Sequence, residues 1–104
     1  MAFTKTNYAD EADKHGLYFL REPLDCERLG VSVIDVDAGR EGPEHDHAAD
    51  GEVEVYLLVE GDARLTVAGD EIDMEPGDAV RVDPETTRRL TLRGDSRMVV
   101  VGAP

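Results

Sequence analysis

Residues 39–61 read GREGPEHDHAADGEVEVYLLVEG, and this stretch decides the fold. It holds two closely spaced histidines, His45 and His47, ahead of an alternating strand that carries Glu52 and Glu54. Side chains two residues apart in a strand point to the same face, about 6.6 Å apart along the backbone. Two imidazoles on one face and a carboxylate on a neighbouring strand are able to converge on one metal ion. The stretch therefore indicates where chemistry would occur, but not on which substrate.

On both sides of this stretch, short apolar runs alternate with Gly, Pro and Asp at about ten-residue spacing, which is typical of an all-β sandwich or barrel. We predict strands at residues 17–20, 29–36, 52–59, 63–67, 71–74, 79–82, 89–92 and 98–101. Turns are predicted at residues 60–62, 68–70 and 75–78, the last because Pro76 fixes φ and Gly77 supplies a positive φ. No segment has a long 3.6-residue period, so the chain is predicted to be a β protein.

The length of 104 residues predicts one domain, residues 1–104, with a polar leader at residues 1–16 and the β-rich part at residues 17–104. Within the leader, residues 7–15 predict a loop or a single helical turn. No apolar run exceeds the five residues 55–59, so no transmembrane helix is expected. The first residues lack the apolar core of a signal peptide, and a lone Cys26 cannot form an internal disulfide. These features favour a cytoplasmic location.

The net charge is −13, with 24 acidic and 11 basic residues. Such a surface repels phosphate backbones and anionic lipids, so neither nucleic acid nor a membrane is an expected partner. An excess of acid with only two lysines is typical of proteins adapted to high salt, because the Debye length falls to about 3 Å near 1 M. The simpler interpretation is solubility, since the acidic residues are spread along the whole chain.

The motifs of this chain resemble those of the cupin superfamily, which consists of small conserved β-barrels. The first cupin motif is Gly, five residues, His-x-His, a few residues, Glu, six residues and Gly. The matching residues here are Gly39, His45, His47, Glu54 and Gly61. The second motif centres on Pro-Gly-Asp, a strand and a final His, and residues 76–78 resemble its start. The resemblance implies an antiparallel double-stranded β-helix, a jelly-roll barrel, over residues 17–104.

Two departures from the family pattern affect the implied metal site. Six residues separate His47 from Glu54 where three or four are usual, so the connecting loop is enlarged. The final His of the second motif is missing, and Arg88 or a neighbour stands in its region. Arginine stays protonated and offers no lone pair to a metal. The implied four-ligand site is therefore reduced to His45, His47 and Glu54 at most, for a divalent Fe, Mn, Ni or Zn ion that ligand type alone does not identify.

Each ligand candidate has a simpler interpretation. The two histidines are equally compatible with solvated loop side chains between acidic neighbours. Glu52 shares a strand face with Glu54 and competes for the ligand role, although the six-residue spacing to Gly61 favours Glu54. Tyr56 lies on that face too, and is predicted to line the same cavity unless it is a core aromatic with a satisfied hydroxyl.

Arg81 and Arg88 are candidate ligand-binding residues, because a guanidinium binds a carboxylate through two parallel hydrogen bonds. The simpler role for both is an ion pair with a nearby Asp or Glu. The opposite face of the strand after the histidines is apolar throughout, at Val53, Val55, Leu57 and Val59. A strand that is apolar on this face as well needs cover, so we expect a homodimer.

The resemblance implies a protein that binds a small molecule, with O₂-dependent oxidation or isomerisation of a small organic acid as the implied chemistry. The alternative is a non-catalytic small-ligand-binding or sensing protein without metal, which accommodates the missing histidine more easily. The sequence has no Ser-His-Asp order, phosphate loop, Cys-x-x-Cys pair or Gly-rich dinucleotide motif. Nucleophilic hydrolysis, nucleotide-dependent chemistry and Rossmann-type redox chemistry are therefore disfavoured.

Overall fold

The computed structural model describes residues 2–104, in which nine β-strands and one short 3₁₀ helix, Tyr8–Asp10, are present. The strands are β1 (Leu17–Phe19), β2 (Gly30–Val36), β3 (Arg40–Glu41), β4 (Val53–Glu60), β5 (Ala63–Val67), β6 (Asp70–Met74), β7 (Ala79–Val82), β8 (Arg88–Leu92) and β9 (Ser96–Ala103). Of the two alternatives predicted for residues 7–15, a loop or a single helical turn, the structure shows the turn, and Met1 of the polar leader lies outside the described residues. Within the described part of the chain, no helix has the length and apolar character that a membrane crossing requires.

The strands form two antiparallel sheets with the orders β1-β2-β9-β4-β7 and β3-β8-β5-β6. The β3–β8 pairing continues past the end of β3, because His45 and Arg88 exchange two backbone hydrogen bonds of 2.9 and 2.8 Å. The backbone of residues 40–45 therefore lies beside β8 and carries the first histidine to the edge of the barrel. The predicted all-β antiparallel jelly-roll architecture is confirmed, and β3 is the one strand that the sequence did not predict.

The core lies between the two sheets, and β4 illustrates how the alternating pattern builds it. Tyr56 and Leu58 face inward and are 3% and 0% exposed, whereas Leu57 and Val59 face outward and are 38% and 41% exposed. Successive side chains of a strand point to opposite faces, so the same parity places Glu54 on the inward face. The strand thus delivers a carboxylate to the interior because its register is fixed by the buried residues that follow.

The two glycines that bound the first motif are required by the backbone. Gly39 and Gly61 have φ angles of +83° and +98°, a region that side-chain-bearing residues rarely adopt. A Cβ on Gly39 would lie 2.6 Å from the carbonyl oxygen of Leu92, and one on Gly61 would collide with the backbone of Asp95 and Ser96. These glycines let the ends of the site-bearing segment approach the β8–β9 connection closely.

Two predicted turns are confirmed with the geometry that their residues favour. Ala68 and Gly69, which join β5 to β6, both have positive φ, as in the two-residue type I′ hairpin. In the turn at residues 75–78, the Asp78 amide donates to the Glu75 carbonyl at 3.0 Å and Gly77 has a φ of +98°. That combination matches a type II turn with proline at its second position.

Candidate metal and ligand site

The three predicted metal ligands lie together at one end of the barrel. The Nε2 atoms of His47 and His45 lie 3.3 and 4.0 Å from Oε1 of Glu54. One ligand atom from each residue lies within 4.8 Å of the others. Glu54 comes from the inward face of β4, and His45 comes from the segment beside β8. The His47 amide donates to the Pro84 carbonyl at 2.8 Å, which fixes the second histidine in the same region.

The hydrogen bonds of the two imidazole rings determine which nitrogen faces the site. Nδ1 of His45 lies 3.3 Å from the Pro43 carbonyl oxygen, and Nδ1 of His47 lies 3.0 and 3.2 Å from the carboxylate oxygens of Asp50. Both partners only accept hydrogen bonds, so each Nδ1 carries the proton. The hydrogen bond from His47 holds the pKa of the Asp50 carboxyl below its ordinary value, helped by the Glu52 amide. In the neutral rings, the lone pair of each Nε2 therefore points toward Glu54.

Glu54 is itself held by two strong donors. The Tyr56 hydroxyl donates to its Oε1 at 2.7 Å, and Nη1 of Arg88 donates to the same oxygen at 2.9 Å. Burial, reinforced by the bond to Glu54, raises the pKa of the Tyr56 phenol well above its ordinary value. Tyr56 therefore stays protonated and acts as a hydrogen-bond donor. The contacts of Tyr56, Arg88 and the two imidazoles all fall on Oε1, and among residues 2–104 Oε2 of Glu54 accepts no hydrogen bond.

Arg88 occupies the region where the family pattern has its final histidine, and it does so as a buried ion-pair partner. Its side chain is fully buried, Nε donates to the Thr86 carbonyl at 3.1 Å, and Nη2 donates to the Asp83 carbonyl at 2.7 Å. With Nη1 bound to Glu54, every nitrogen of the guanidinium is engaged within the protein. The two-point binding of a ligand carboxylate that we considered for Arg88 is not available, and the simpler expectation of an ion pair describes its position.

Arg81 lies apart from the three clustered ligands, whereas Glu52 lies near one of them, His47. Arg81 pairs with Val55 in the β4–β7 register, on the face opposite Glu54, and its 64% exposed side chain forms a salt bridge of 2.9 Å with Asp83. Strand parity thus directs Arg81 away from the barrel interior, contrary to the cavity-lining role that we considered. Glu52 forms a salt bridge of 3.2 Å with Arg21, and it also forms a second His/acid group with His47 and Asp50, whose ligand atoms lie within 4.8 Å of one another.

The donor set fits a divalent ion. With metal–ligand bonds of about 2.1 Å, two ligand atoms on one tetrahedral or octahedral ion lie about 3.0–3.5 Å apart. The His47–Glu54 distance of 3.3 Å falls in this range, and the 4.0 Å of His45 is close to it. The His45 side chain is 42% exposed and therefore has room to adjust. Two imidazoles and a carboxylate suit Fe, Mn, Ni and Zn, and leave further coordination positions open.

Two cavities meet at Glu54. The first has a volume of about 190 Å³, and reaches His45, Glu54 and Tyr56 at one side and Arg40 at another. Its apolar lining consists of Leu17, Phe19, Ile34, Leu90, Leu92 and Val100. The second has a volume of about 400 Å³ and is lined in part by His47, Glu52 and the partner of Glu52, Arg21. Tyr56 lines the first cavity, in the place that the strand parity predicted, while its hydroxyl is satisfied by Glu54.

Sequence reasoning did not identify Asp50 or Arg40 as part of the site. Asp50 lies in the enlarged loop three residues after His47, and this spacing across a turn was a usable signal for a side-chain hydrogen bond. Arg40 lies in the two-residue strand β3, which is too short to reveal which face its side chains take. Its inward position follows only from its pairing with the buried Leu92.

Comparison with known proteins connects this geometry to a family. The model of the family described as a cupin domain matches residues 32–102. A solved cupin protein from Bacteroides fragilis has a TM-score of 0.81 and 24% identity, with coverage of 99% of this chain and 85% of that one. An RmlC-like cupin from Shewanella frigidimarina has a TM-score of 0.77 and 21% identity, with coverage of 100% and 95%.

A third solved structure is a sugar phosphate isomerase of the cupin superfamily from Silicibacter pomeroyi. It has a TM-score of 0.67 and 18% identity, with coverage of 86% of this chain and 60% of that one. At these identities the solved structures support the fold alone. No curated protein matches the chain.

Proposed function

This chain belongs to the cupin superfamily, and from that membership we propose that it is a divalent-metal-binding cupin that acts on a small organic acid. His45, His47 and Glu54 are the proposed ligands, and Fe, Mn, Ni or Zn is the proposed ion. The proposed chemistry is O₂-dependent oxidation or isomerisation. The Silicibacter pomeroyi protein is described as a sugar phosphate isomerase, which is compatible with the second of these reactions.

One observation carries the proposal: two imidazole lone pairs converge on a carboxylate oxygen. The Nδ1 protons of both rings are used on the Pro43 carbonyl and Asp50, so each neutral Nε2 is an acceptor that faces another acceptor. Acceptors brought to 3.3 Å repel each other unless a metal ion or a proton lies between them. A divalent ion satisfies all three groups at once, and the Asp50–His47 hydrogen bond is the support that metal-bound histidines commonly have.

The chain's own residues prepare the site for a ligand. Tyr56 and Arg88 hold Oε1 of Glu54, the oxygen that the two imidazoles face, in a fixed position. The apolar lining of the first cavity excludes water from a bound ligand, and so strengthens its polar contacts at the Glu54 end. A divalent ion at this place would supply Lewis-acid polarisation and orientation of the bound acid.

The second candidate function is metal-free binding of a small ligand, and the Arg88–Glu54 ion pair favours it. The guanidinium already supplies a positive charge 2.9 Å from Oε1 of Glu54, and a divalent ion beside it is subject to charge repulsion. In this function a protonated histidine fills the role of the ion. Such a protein binds or senses the small molecule without converting it.

Metal content of the purified protein distinguishes the two functions. We expect about one divalent ion per chain after incubation with Fe, Mn, Ni or Zn and gel filtration, and at least about tenfold less for His47→Ala and Glu54→Gln. His15→Ala is the matched control, because His15 is an exposed histidine of the leader that belongs to neither His/acid group. Wild-type protein that retains none of the four ions, measured by inductively coupled plasma mass spectrometry, contradicts metal binding and leaves the second function.

We also propose a homodimer formed through the outward face of the sheet that contains β4. The exposed Leu57 and Val59 support this proposal, since a second copy would cover them. Sedimentation equilibrium tests the homodimer. We expect the wild type to be dimeric and Leu57→Lys to be monomeric, and a monomeric wild type would contradict the proposal. The acidic charge supports a protein that binds neither nucleic acid nor membranes, and the lone free Cys26 supports a cytoplasmic location. Cell fractionation and a DNA-binding assay at low salt test those two points.

A further inference from the structure

The arginines of this chain are almost all neutralised by carboxylates. Those with a salt bridge are Arg21, Arg64, Arg81, Arg88, Arg89, Arg93 and Arg97. Among the described residues, the remaining two, Arg28 and Arg40, have no carboxylate within salt-bridge distance. In a chain with 24 acidic residues and 11 basic ones, a guanidinium without an acidic partner is unexpected. Of these two arginines, Arg40 lines the first of the two cavities described above and Arg28 lines neither.

The sheet register directs Arg40 into the barrel. Arg40 is directly opposite Leu92 in the β3–β8 pair, and residues directly opposite in a pair share a face. Leu92 is 3% exposed and belongs to the core, so the side chain of Arg40 starts on the inward face as well. Its one hydrogen bond is from Nη1 to the His15 carbonyl at 3.2 Å, which holds the side chain but leaves its charge uncompensated.

The remaining charges around this cavity are balanced. Glu54 is neutralised by Arg88 at 2.9 Å, and the other walls are mostly apolar side chains with Ser32, His45 and Tyr56 as polar exceptions. A cavity with one uncompensated positive charge and apolar walls is complementary to a ligand that has one negative charge and an apolar body. A phosphate dianion needs more cations and donors than Arg40 alone offers, whereas one guanidinium matches one carboxylate.

We infer that Arg40 is the specificity-determining residue of this cavity, which takes a small monocarboxylate with an apolar body. The carboxylate binds Arg40, the hydrocarbon part packs against Leu17, Ile34 and Leu92, and the far end lies toward His45, Glu54 and Tyr56. This inference rests on the proposed function for any reaction of the bound carboxylate, but binding of the carboxylate to Arg40 requires no metal. It assigns the ligand's anionic group to Arg40 in place of Arg81 or Arg88.

Calorimetric titration of hexanoate and benzoate, each against its uncharged alcohol, tests the inference. In the wild type we expect both carboxylates to bind at least about tenfold more tightly than hexan-1-ol and benzyl alcohol. In Arg40→Gln we expect that preference to be lost, with carboxylate affinity reduced about tenfold or more and alcohol affinity unchanged. Arg40→Lys should retain part of the preference, because it keeps the charge but not the two-point geometry.

Arg28→Gln is the matched control, since it makes the same change of charge at an exposed arginine outside both cavities. It should leave every affinity unchanged. Equal binding of acids and alcohols by the wild type overturns the inference and requires no variant to fold. The inference is also overturned if Arg40→Gln binds carboxylates as tightly as the wild type does. In that comparison Arg40→Gln must unfold at the same temperature as the Arg28→Gln control.

Repeating the titrations on chelator-treated protein and on His47→Ala separates this inference from the metal proposal. Arg40-dependent carboxylate binding without any bound metal supports the inference while the metal proposal fails. Carboxylate binding that requires metal and ignores Arg40 supports the metal proposal and overturns the inference. The two proposals therefore fail by different measurements.

Discussion

Arg88 and Glu54, which are 34 residues apart in the sequence, form an ion pair of 2.9 Å whose guanidinium is completely buried. The pair places a fixed positive charge in the region where the family pattern has a metal-binding histidine. Its position explains how the site remains ordered without the fourth ligand, because Glu54 keeps two strong donors. It also means that Arg88 competes with an incoming ion for the same carboxylate.

Replacing Arg88 with histidine should strengthen metal binding. Arg88→His removes the competing charge and adds an imidazole beside Glu54, so we expect the dissociation constant for Zn²⁺ or Ni²⁺ to fall about tenfold or more. Calorimetric titration measures it. Arg81→His is the control, because Arg81 lies on the outer face of β7 and should leave the constant unchanged. If Arg88→His and Arg81→His are both folded and have equal dissociation constants for the metal ion, residue 88 does not occupy the place of the family's metal-binding histidine.

Replacing Arg88 with methionine should destabilise the protein. The variant leaves the largely buried Glu54 carboxylate without its cationic partner, which we expect to lower the free energy of unfolding by about 2–4 kcal/mol. Urea denaturation at neutral pH measures the change. The double variant Arg88→Met with Glu54→Gln should recover part of the loss, since it removes the unpaired charge. A double variant less stable than the single variant would show that the charge is not the cause.

Two glycines with the same backbone angle allow a matched test of close packing. Gly61 and Gly77 both have a φ of +98°, but a Cβ would collide with the Asp95 carbonyl at Gly61 and meets nothing within 4 Å at Gly77. We expect Gly77→Ala to cost about 1 kcal/mol from backbone strain alone, and Gly61→Ala to cost about 2–4 kcal/mol. Urea denaturation of both variants gives the comparison. Equal losses would show that the β8–β9 connection moves aside without cost.

Stability at acidic pH should depend on Asp73. Arg64 donates to its carboxylate at 3.0 Å and holds the pKa of the Asp73 carboxyl below its ordinary value. A pKa that is lower in the folded state stabilises the protein above the unfolded-state pKa, and the benefit is lost as pH falls through the folded-state value. Asp73→Asn should therefore melt below the wild type at pH 7, and the difference should shrink as pH falls below the ordinary Asp pKa of about 3.9. A constant difference across this range, in thermal melts, argues against the ion pair as the cause.

The net charge of −13 leads us to propose that stability increases with salt. Screening reduces self-repulsion, so the unfolding temperature should rise between 0.1 and 2 M KCl, where the Debye length falls from about 10 Å to below about 3 Å. The double variant Asp70→Lys with Glu85→Lys reduces the negative charge at two exposed positions and should show a smaller rise. An unfolding temperature that does not change with KCl would leave solubility as the role of the acidic surface.

The parts of this structure that depend on local pattern were predictable from the sequence. Alternation along residues 52–59 gave β4 and the inward direction of Glu54 and Tyr56, and Pro76 with Gly77 gave the turn after β6. Strand parity and turn chemistry act over a few residues, so a single sequence contains them. The clustering of the two histidines with Glu54 was predicted from their spacing together with the resemblance to the cupin motif, and that they hold metal stays a prediction.

The parts that depend on long-range register were not predictable in the same way. The Arg88–Glu54 contact requires β4 and residues 84–88 to meet across the barrel, and the sequence offered several acidic partners for Arg88. The inward side chain of Arg40 depends on the β3–β8 pairing, because a strand of two residues has no period of its own. Arg81 was considered for ligand binding because of its charge, but its register opposite Val55 decides its direction and places it on the outward face of the sheet.

The strands at the margins of the two sheets have a consequence for behaviour at high concentration. β1, β7 and β3 contain three, four and two residues, so each offers few unpaired backbone groups. The longer margin strand β6 carries Asp70, Glu71 and Asp73. Short or acidic margins are poor templates for a strand from another molecule. We therefore expect the protein to resist edge-to-edge aggregation and fibril growth, because the strand order places short or acidic strands at the four margins of its two sheets.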